Sequence, residues 1–185
     1  MNSTMHMLQE VSTSTDIGRK INAKGNGYAW IGGKLHLGVV DGDIPITAIY
    51  TCASVHDSQV AIPVINETTK RVDYLYDLCD KAYDSQPITA FSKKSGHTPI
   101  IDVNPRNCKE TKIAIEGDKM LVKMGFNTPM SNHYNHRSSV ERVNSYLKDS
   151  FGCKHIYVKG ATKVASHLMF GVLALCIHQS IKVLT

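Results

Sequence analysis

The sequence has little that would support a disulfide-stapled or zinc-bound fold. Its 185 residues contain an odd number of cysteines, and no two of them form a C-x-x-C pair. The five are scattered along the chain at Cys52, Cys79, Cys108, Cys153 and Cys176. Structural zinc sites and secreted disulfide frameworks both depend on closely spaced or paired cysteines. We therefore expect free thiols and a reducing, cytoplasmic environment.

The sequence also lacks the signatures of export and of a membrane anchor. Its first residues, MNSTMHMLQEV, have no basic segment followed by an apolar run, which a signal peptide would have. The longest apolar stretch, 164–184, approaches the length of a membrane span but contains His167, His178, Gln179 and Lys182. This stretch is predicted to form a buried helix, and no membrane partner is expected.

Internal repeats and low-complexity tracts are absent, and 42% of the residues are hydrophobic, which is enough for one substantial core. Residues 1–27 are rich in Ser, Thr, Asn and Gly and are predicted to be weakly structured. The remaining residues, 28–185, are predicted to form a single domain.

Basic charge is concentrated in one part of the chain. Residues 1–103 hold 9 basic and 11 acidic side chains, whereas residues 104–163 hold 11 basic and 5 acidic ones. A basic block of this kind often faces a polyanion such as nucleic acid, although a moderately basic surface is also commonly just solvated.

The order of the predicted elements indicates an α/β fold. WIGGKLHLGVV and IPITAIYTCAS read as two strands around a DGD turn, and Asp57 or Ser58 is the predicted N-cap of the helix that follows. Two further strands, in 72–80 and before Pro105, alternate with helices. Because an isolated hairpin is too small to be stable, the later strands are predicted to join it in one mixed sheet with helices packed on it.

The segment YNHRSSVERVNSYLK places four chemically active side chains at separations of three, four and seven residues. These are Tyr134, Arg137, Glu141 and Lys148. On one α-helix such steps return to the same face. The row is either a solvated set of ion pairs or a face where Glu141 binds a divalent cation and the other three contact phosphate.

Asp80 offers a second carboxylate for such a site. It ends the apolar segment YLYDLCD, and a predicted helix follows it. Open α/β sheets gather their sites at the carboxyl ends of strands, although an aspartate there is most often a turn or helix cap. Two carboxylates from distant segments suit Mg²⁺, which takes oxygen ligands and leaves other positions to water and substrate phosphate.

These residues resemble the catalytic domain of bacterial insertion-sequence DDE transposases, the group with the motif Tyr-x2-Arg-x3-Glu-x6-Lys. Tyr134, Arg137, Glu141 and Lys148 meet that spacing at every position. Similar stretches, in the same order, are WIGGKLHLGVVDGDIPITAI, ASVHDSQVAIP, YDLCDKAYDS, PIIDVNPR and VKGATKVASHLMFG. The resemblance covers about residues 28 to 180.

The resemblance implies an RNase H-like fold that cuts DNA at element ends and joins the 3′-hydroxyl to target DNA. Asp80 would be the second catalytic acid and Glu141 the third, both holding Mg²⁺ or Mn²⁺, with two ions in a complete site. Tyr134, Arg137 and Lys148 would contact DNA phosphate. The partners implied are element ends, target DNA and further copies of the chain.

One part of the family pattern is not matched. The first acid should lie on a strand before the hairpin, and that strand is expected to be missing here, because Asp16 sits among Ser, Thr and Gly and reads as a loop or cap residue. The chain is therefore expected to be truncated on its N-terminal side and largely inactive alone. A non-catalytic DNA-binding remnant and a nuclease of the same fold remain alternatives.

Overall fold

The computed structural model describes residues 16–21, 25–105, 108–126 and 136–184. The chain divides into two compact units, one of Met1–Val72 with Ser139–Thr185 and the other of Asp73–Ser138. The strands are β1 (Ile17–Ile21), β2 (Gly27–Ile31), β3 (Gly33–Val40), β4 (Ile44–Cys52), β5 (Tyr76–Cys79) and β6 (Thr98–Ile101). The α-helices are α1 (Asp57–Thr69), α2 (Gln86–Lys94), α3 (Lys109–Lys123), α4 (Ser139–Asp149) and α5 (Ala161–Leu184). Lys81–Tyr83 and His136–Ser138 are short 3-10 turns.

The antiparallel hairpin β3–β4 is the centre of the first unit. Successive side chains on a strand point to opposite faces, and here both faces are covered by helices. On one face, Leu35, Leu37 and Val39 pack against buried side chains of α4 and α5. These buried side chains are Val143, Leu147, Val172 and Leu175. The predicted hairpin is confirmed, and its core is helix on strand.

The opposite face of the hairpin packs against α1. A Cβ atom at Gly38 would lie only 2.7 Å from Thr68 Oγ1, so a glycine is needed for this close approach. Thr68 Oγ1 also donates a hydrogen bond to Thr47 Oγ1 at 2.9 Å, which satisfies both buried hydroxyls. Helix α1 begins one residue after His56, whose ring accepts a hydrogen bond from Ser58 N, so the predicted cap at Asp57 or Ser58 was off by one or two positions.

Residues 17–21 form a strand within the segment predicted to be weakly structured. β1 pairs with β2 in register from Ile17 opposite Ile31 to Ile21 opposite Gly27. The prediction failed because this ribbon is held by its backbone ladder and shows no apolar alternation. Ile17 and Ile31 remain 50% and 70% exposed. Regular structure is therefore present in part of the segment for which the composition predicted little.

The second unit contains a parallel pair, β5 and β6, joined by α2. Tyr76 lies opposite Thr98, and Cys79 lies opposite Ile101 at the carboxyl ends. Its buried apolar side chains include Ile88 on α2 and Ile100 on β6, at 2% and 6% exposure, and α2 packs on β6. The predicted strand–helix–strand order is confirmed here.

The prediction of a single mixed sheet is wrong for the described residues. They form three two-stranded sheets, β1–β2, β3–β4 and β5–β6. Each pairs strands that are close in the chain, which keeps the entropic cost of loop closure low. Helices α1, α4 and α5 cover β3–β4, and packing against helices can replace further strands as a source of stability.

Two helices carry apolar side chains that the fold leaves exposed. Helix α3, in a stretch that sequence patterns did not assign, has no buried residue. Helix α5 is buried along one face only, so the prediction of a buried helix is wrong for its opposite face. Length and composition alone place α5, among the described helices, within the range of membrane-spanning helices, a range that core helices of soluble proteins share.

Candidate functional site

Asp80 lies where the sequence predicted, directly after the carboxyl end of β5. It is half-buried and caps the 3-10 turn Lys81–Tyr83, with its Oδ1 accepting a hydrogen bond from Ala82 N at 2.9 Å. Its second oxygen, Oδ2, accepts no hydrogen bond from the part of the chain that the structure describes. The residue therefore acts as a cap and still presents a carboxylate oxygen at a strand end.

Two more aspartates lie at the same end of this small sheet. Asp102 follows Ile101, the partner of Cys79 in the parallel register, so Asp80 and Asp102 are the next residues on neighbouring strands. Asp84 accepts a hydrogen bond through Oδ2 from Asn104 N at 2.8 Å. Sequence reasoning missed Asp102, although its position one residue past a predicted strand was the available signal.

Negative charge at this edge affects the neighbouring cysteine. Burial, together with the charges of Asp77 and Asp80, raises the pKa of the Cys79 thiol to about 12. A thiol with such a pKa is protonated at neutral pH and is a poor nucleophile. The carboxylate oxygens of Asp80 and Asp102 at this edge are of the kind that suits a hard cation.

Arg137 is placed by a 3-10 turn rather than by the predicted α-helix. The turn His136–Ser138 contacts β5, the strand that leads to Asp80, within the second unit. The predicted helix from Arg137 to Lys148 was too long at its start, because α4 begins at Ser139. Arg137 is half-buried and belongs to the same unit as Asp80.

Glu141 and Lys148 share a face of α4 in the first unit. Seven residues separate them, which is close to two helical turns, and both are exposed. Glu141 lies in the first turn and Lys148 in the last, so each complements the helix dipole as well. Their predicted positions on one helix face are confirmed, and the dipole gives them a structural reason besides the functional one.

Helix α4 is fixed to the β3–β4 turn by an ion pair that sequence reasoning missed. Arg142 donates from Nε to Asp43 Oδ2 at 2.9 Å and from Nη2 to Asp43 Oδ1 at 2.8 Å. The hydrogen bond from Arg142 holds the pKa of Asp43 below its ordinary value. Because Arg142 directly follows Glu141, this pair fixes the helical turn that carries Glu141.

Strand β5 is anchored by a buried polar network centred on Asp77. Ser92 Oγ on α2 donates to Asp77 Oδ2 at 2.6 Å, and His97 Nδ1 lies 3.1 Å from the same oxygen. The His97 ring packs against Tyr74, with the ring centroids 4.0 Å apart. Asp77, Ser92 and His97 are all buried, so the network holds β5 in place and is closed to a substrate.

The two predicted metal ligands belong to different compact units. Asp80 belongs to the second unit and Glu141 to the first, and each carries a carboxylate suited to Mg²⁺ or Mn²⁺. Within the described ranges, no group of three His, Cys, Asp or Glu side chains is arranged to hold a metal ion. Tyr134, the remaining predicted DNA contact, lies outside the described residues.

Asp16 is engaged in structural hydrogen bonds. Its Oδ1 accepts from Ile17 N at 3.1 Å, and its Oδ2 accepts from Ser54 Oγ. The Oδ1 bond is local to the start of β1, and the Oδ2 bond connects this start to Ser54, which follows β4. The sequence-based interpretation of Asp16 as a loop or cap residue agrees with these contacts.

These features define a mixed α/β protein with a carboxylate at a parallel strand end and an acid–base row on a helix. A family model described as the transposase DDE domain matches residues 9–177, and the chain belongs to this family. The matched region contains Asp80, Arg137, Glu141 and Lys148. Neither a curated protein nor a solved structure matches the chain significantly.

Proposed function

We propose that this protein is the catalytic part of a bacterial insertion-sequence transposase with an RNase H-like fold. It would cut DNA at element ends and join the released 3′-hydroxyl to target DNA in the cytoplasm, as an oligomer. The observation that carries the proposal is the position of Asp80 directly past strand β5, in a chain that matches the transposase DDE domain over residues 9–177. Open α/β sheets form their binding and catalytic sites at the carboxyl ends of strands, where Asp80 lies.

In this proposal Asp80 and Glu141 supply carboxylate oxygens to the metal site. Bound Mg²⁺ or Mn²⁺, two ions in a complete site, would stabilise the charge that develops on the attacking and leaving oxygens of a phosphodiester. The Oδ1 bond to Ala82 N orients the Asp80 carboxylate, and the Arg142–Asp43 pair orients the first turn of α4. The Asp80–Glu141 pairing is proposed from the family resemblance and from their carboxylate chemistry.

Arg137, Lys148 and Tyr134 would hold the DNA backbone. The Arg137 guanidinium suits two-point contact with a phosphate, and the Lys148 ammonium acts as a point charge. The net positive charge of residues 104–163 supports a polyanionic partner. We expect weak strand transfer by the chain alone, because Asp16, the nearest candidate for a first acid, has both carboxylate oxygens occupied by hydrogen bonds.

Metal binding gives a test that does not depend on turnover. Mg²⁺ or Mn²⁺ should raise the thermal midpoint of the wild-type chain, because a ligand that binds the native state stabilises it by mass action. Asp80→Asn and Glu141→Gln should each abolish most of this shift. Asp118→Asn, which removes an exposed acid of α3, is the matched control and should keep it.

Activity gives the second test, with cleavage and joining of duplexes that carry the element's terminal repeats. Glu141→Gln should abolish whatever activity is present and leave DNA binding in a gel-shift assay intact, because it removes a ligand with little change in shape. An active Glu141→Gln variant would reduce Glu141 to an ion-pair residue. DNA binding without any metal effect in the wild type would favour the non-catalytic remnant, and cutting without joining would favour the nuclease.

A further inference from the structure

Helix α5 is apolar on two opposite faces, and only one of them is covered. Ala165, Leu168, Val172 and Leu175 are buried, and Val172 and Leu175 belong to the hydrophobic core of the first unit. At about 100° per residue, a second set of side chains lies roughly half a helical turn away. This set, called the outer stripe, is Phe170, Leu173, Ile177, Ile181 and Leu184. A helix that is apolar all round is normally covered all round.

The outer stripe is substantially exposed along its whole length. Phe170 is 72% exposed, Leu173 55%, Ile177 53%, Ile181 57% and Leu184 86%. Side chains of this kind, burying roughly 100 Å² each, would remove about 500 Å² from solvent on one chain. A pair of copies would bury about 1,000 Å² in total, which reaches the lower range of specific protein interfaces.

The spacing of the outer stripe fits a second copy of the same helix in antiparallel orientation. Its members are separated by three, four, four and three residues, a pattern that is symmetric about Ile177. A two-fold axis at Ile177 would place Phe170 against Leu184 of the other copy, and Leu173 against Ile181. Closed two-fold pairing uses the same patch on both chains, as this symmetry requires.

The charges on α5 also favour the antiparallel direction. Lys163 lies in line with the outer stripe, seven residues before Phe170, and Lys182 lies to its side. In a parallel pair the two copies of Lys163 would face each other. In the antiparallel pair Lys163 falls outside the paired segment 170–184, so no charge is buried. We infer that the outer stripe of α5 is a homodimer interface, with two antiparallel copies of the helix packed around Ile177.

The inferred dimer rests on the exposed face of α5 and does not depend on the proposed metal site. Its tests therefore measure association between chains and require neither metal nor activity. The first test is sedimentation of the full chain from about 1 μM to about 100 μM, a range that detects a micromolar dimer. Ile177→Asp should raise the dissociation constant at least tenfold, because it places two carboxylates at the symmetry axis. Ile113→Asp, at a 69% exposed position on α3, is the matched control and should change nothing.

A charge-exchange experiment tests the antiparallel register. Leu173→Asp and Ile181→Lys should each weaken the dimer at least tenfold, because each places a charge opposite an apolar side chain. The double variant should recover at least tenfold relative to either single variant, because the antiparallel pair brings each aspartate to a lysine of the other copy. Circular dichroism checks that each variant keeps its helix content.

Several outcomes would overturn the inference. A wild-type chain that stays monomeric throughout the concentration range would do so, as would a dimer that Ile113→Asp disrupts and Ile177→Asp leaves intact. Failure of the double variant to recover would eliminate the antiparallel arrangement. Co-sedimentation with vesicles of phosphatidylglycerol and phosphatidylcholine tests the other occupant, since a monomer that binds vesicles through Ile177 would make the stripe a lipid-binding face.

Discussion

Arg142 and Asp43 form a two-point ion pair that joins helix α4 to the tight turn between β3 and β4. The contacts are 2.9 Å from Nε to Oδ2 and 2.8 Å from Nη2 to Oδ1. Asp43 has a φ of 58°, a left-handed conformation that aspartate and asparagine tolerate better than most residues. The turn thus presents a carboxylate to the residue that follows Glu141.

Replacing Asp43 by Asn should weaken this attachment while keeping the turn. Because Arg142 holds the folded-state pKa of Asp43 below its ordinary value of 3.8, the ionised form stabilises the native state. That contribution is present above the unfolded-state pKa and disappears as the pH falls through the folded-state pKa. The thermal midpoint of Asp43→Asn should therefore lie below that of the wild type at pH 6.

The pH dependence of this difference is the control. The midpoints of the wild type and Asp43→Asn should begin to converge as the pH falls below about 4, the ordinary pKa of an aspartate in the unfolded chain. Arg142→Gln should show the same convergence, since it removes the other partner. A gap between wild type and variant that persists unchanged at pH 3 would assign the effect to turn geometry instead of to the ion pair.

His36 should make the first unit less stable at mildly acidic pH. Its ring is buried under α1 with Nε2 2.9 Å from Thr51 Oγ1, and burial lowers the His36 pKa from 6.5, partly offset by Asp57. Below pH 6.5 the unfolded chain therefore binds a proton that the folded chain resists. The free energy of unfolding should fall as the pH drops from 7 to 5.

His36→Gln isolates this effect from the other histidines. Glutamine keeps a polar group near Thr51 but does not titrate. Urea unfolding at pH 7 and pH 5 should show a smaller loss of stability in the variant than in the wild type. Equal losses in both proteins would mean that another histidine causes the acid sensitivity.

Two glycine substitutions should have effects of opposite sign. A Cβ at Gly38 would meet Thr68 Oγ1 at 2.7 Å and Val64 Cγ1 at 3.2 Å, so Gly38→Ala should cost about 1–3 kcal/mol by forcing α1 away from the hairpin. A Cβ at Gly117, inside α3, would meet no neighbouring atom within 4 Å, and Gly117→Ala should stabilise the chain by about 0.5–1 kcal/mol. Chemical denaturation measures both, and a neutral Gly38→Ala would contradict the close approach of α1.

The network beneath β5 should be sensitive to loss of one hydroxyl. Ser92 is fully buried and donates to Asp77 Oδ2 at 2.6 Å. Ser92→Ala should cost about 1–3 kcal/mol, because it removes a donor from a buried carboxyl. Ser95→Ala, at the end of the same helix, removes a hydroxyl that makes no hydrogen bond among the described residues and should be nearly neutral. Similar losses of stability for both substitutions would mean that the Ser92–Asp77 hydrogen bond does not stabilise β5.

The local chemistry of the site was predictable because it depends on short-range patterns. An apolar run followed by Asp80 places the acid at a strand end, and a seven-residue separation places Glu141 and Lys148 on one helix face. Both follow from the periods of strands and helices, which the sequence displays directly. Arg137 was misplaced by one element, because a 3-10 turn and the first turn of an α-helix look alike in sequence.

Long-range contacts were not predictable for equally physical reasons. The Arg142–Asp43 pair joins residues 99 positions apart, and no local pattern marks either residue. Asp77 read as one more residue of the strand, because its partners come from α2 and from the residues before β6. The β1–β2 ribbon was missed because backbone pairing, which any sequence without proline can make, stabilises it.

Arg137 and Lys148 should account for part of the salt dependence of DNA binding. If each neutralises one phosphate, the slope of log K against log salt contains about −0.9 from each contact on duplex DNA. Arg137→Gln and Lys148→Gln should each weaken binding and make that slope shallower by about this amount. Lys70→Gln is the control, since Lys70 is exposed, pairs with Glu67 at 2.7 Å and lies outside the basic region. A slope that changes equally in the control would mean that net charge alone governs binding, and an unchanged slope in both variants would exclude the two residues from the DNA interface.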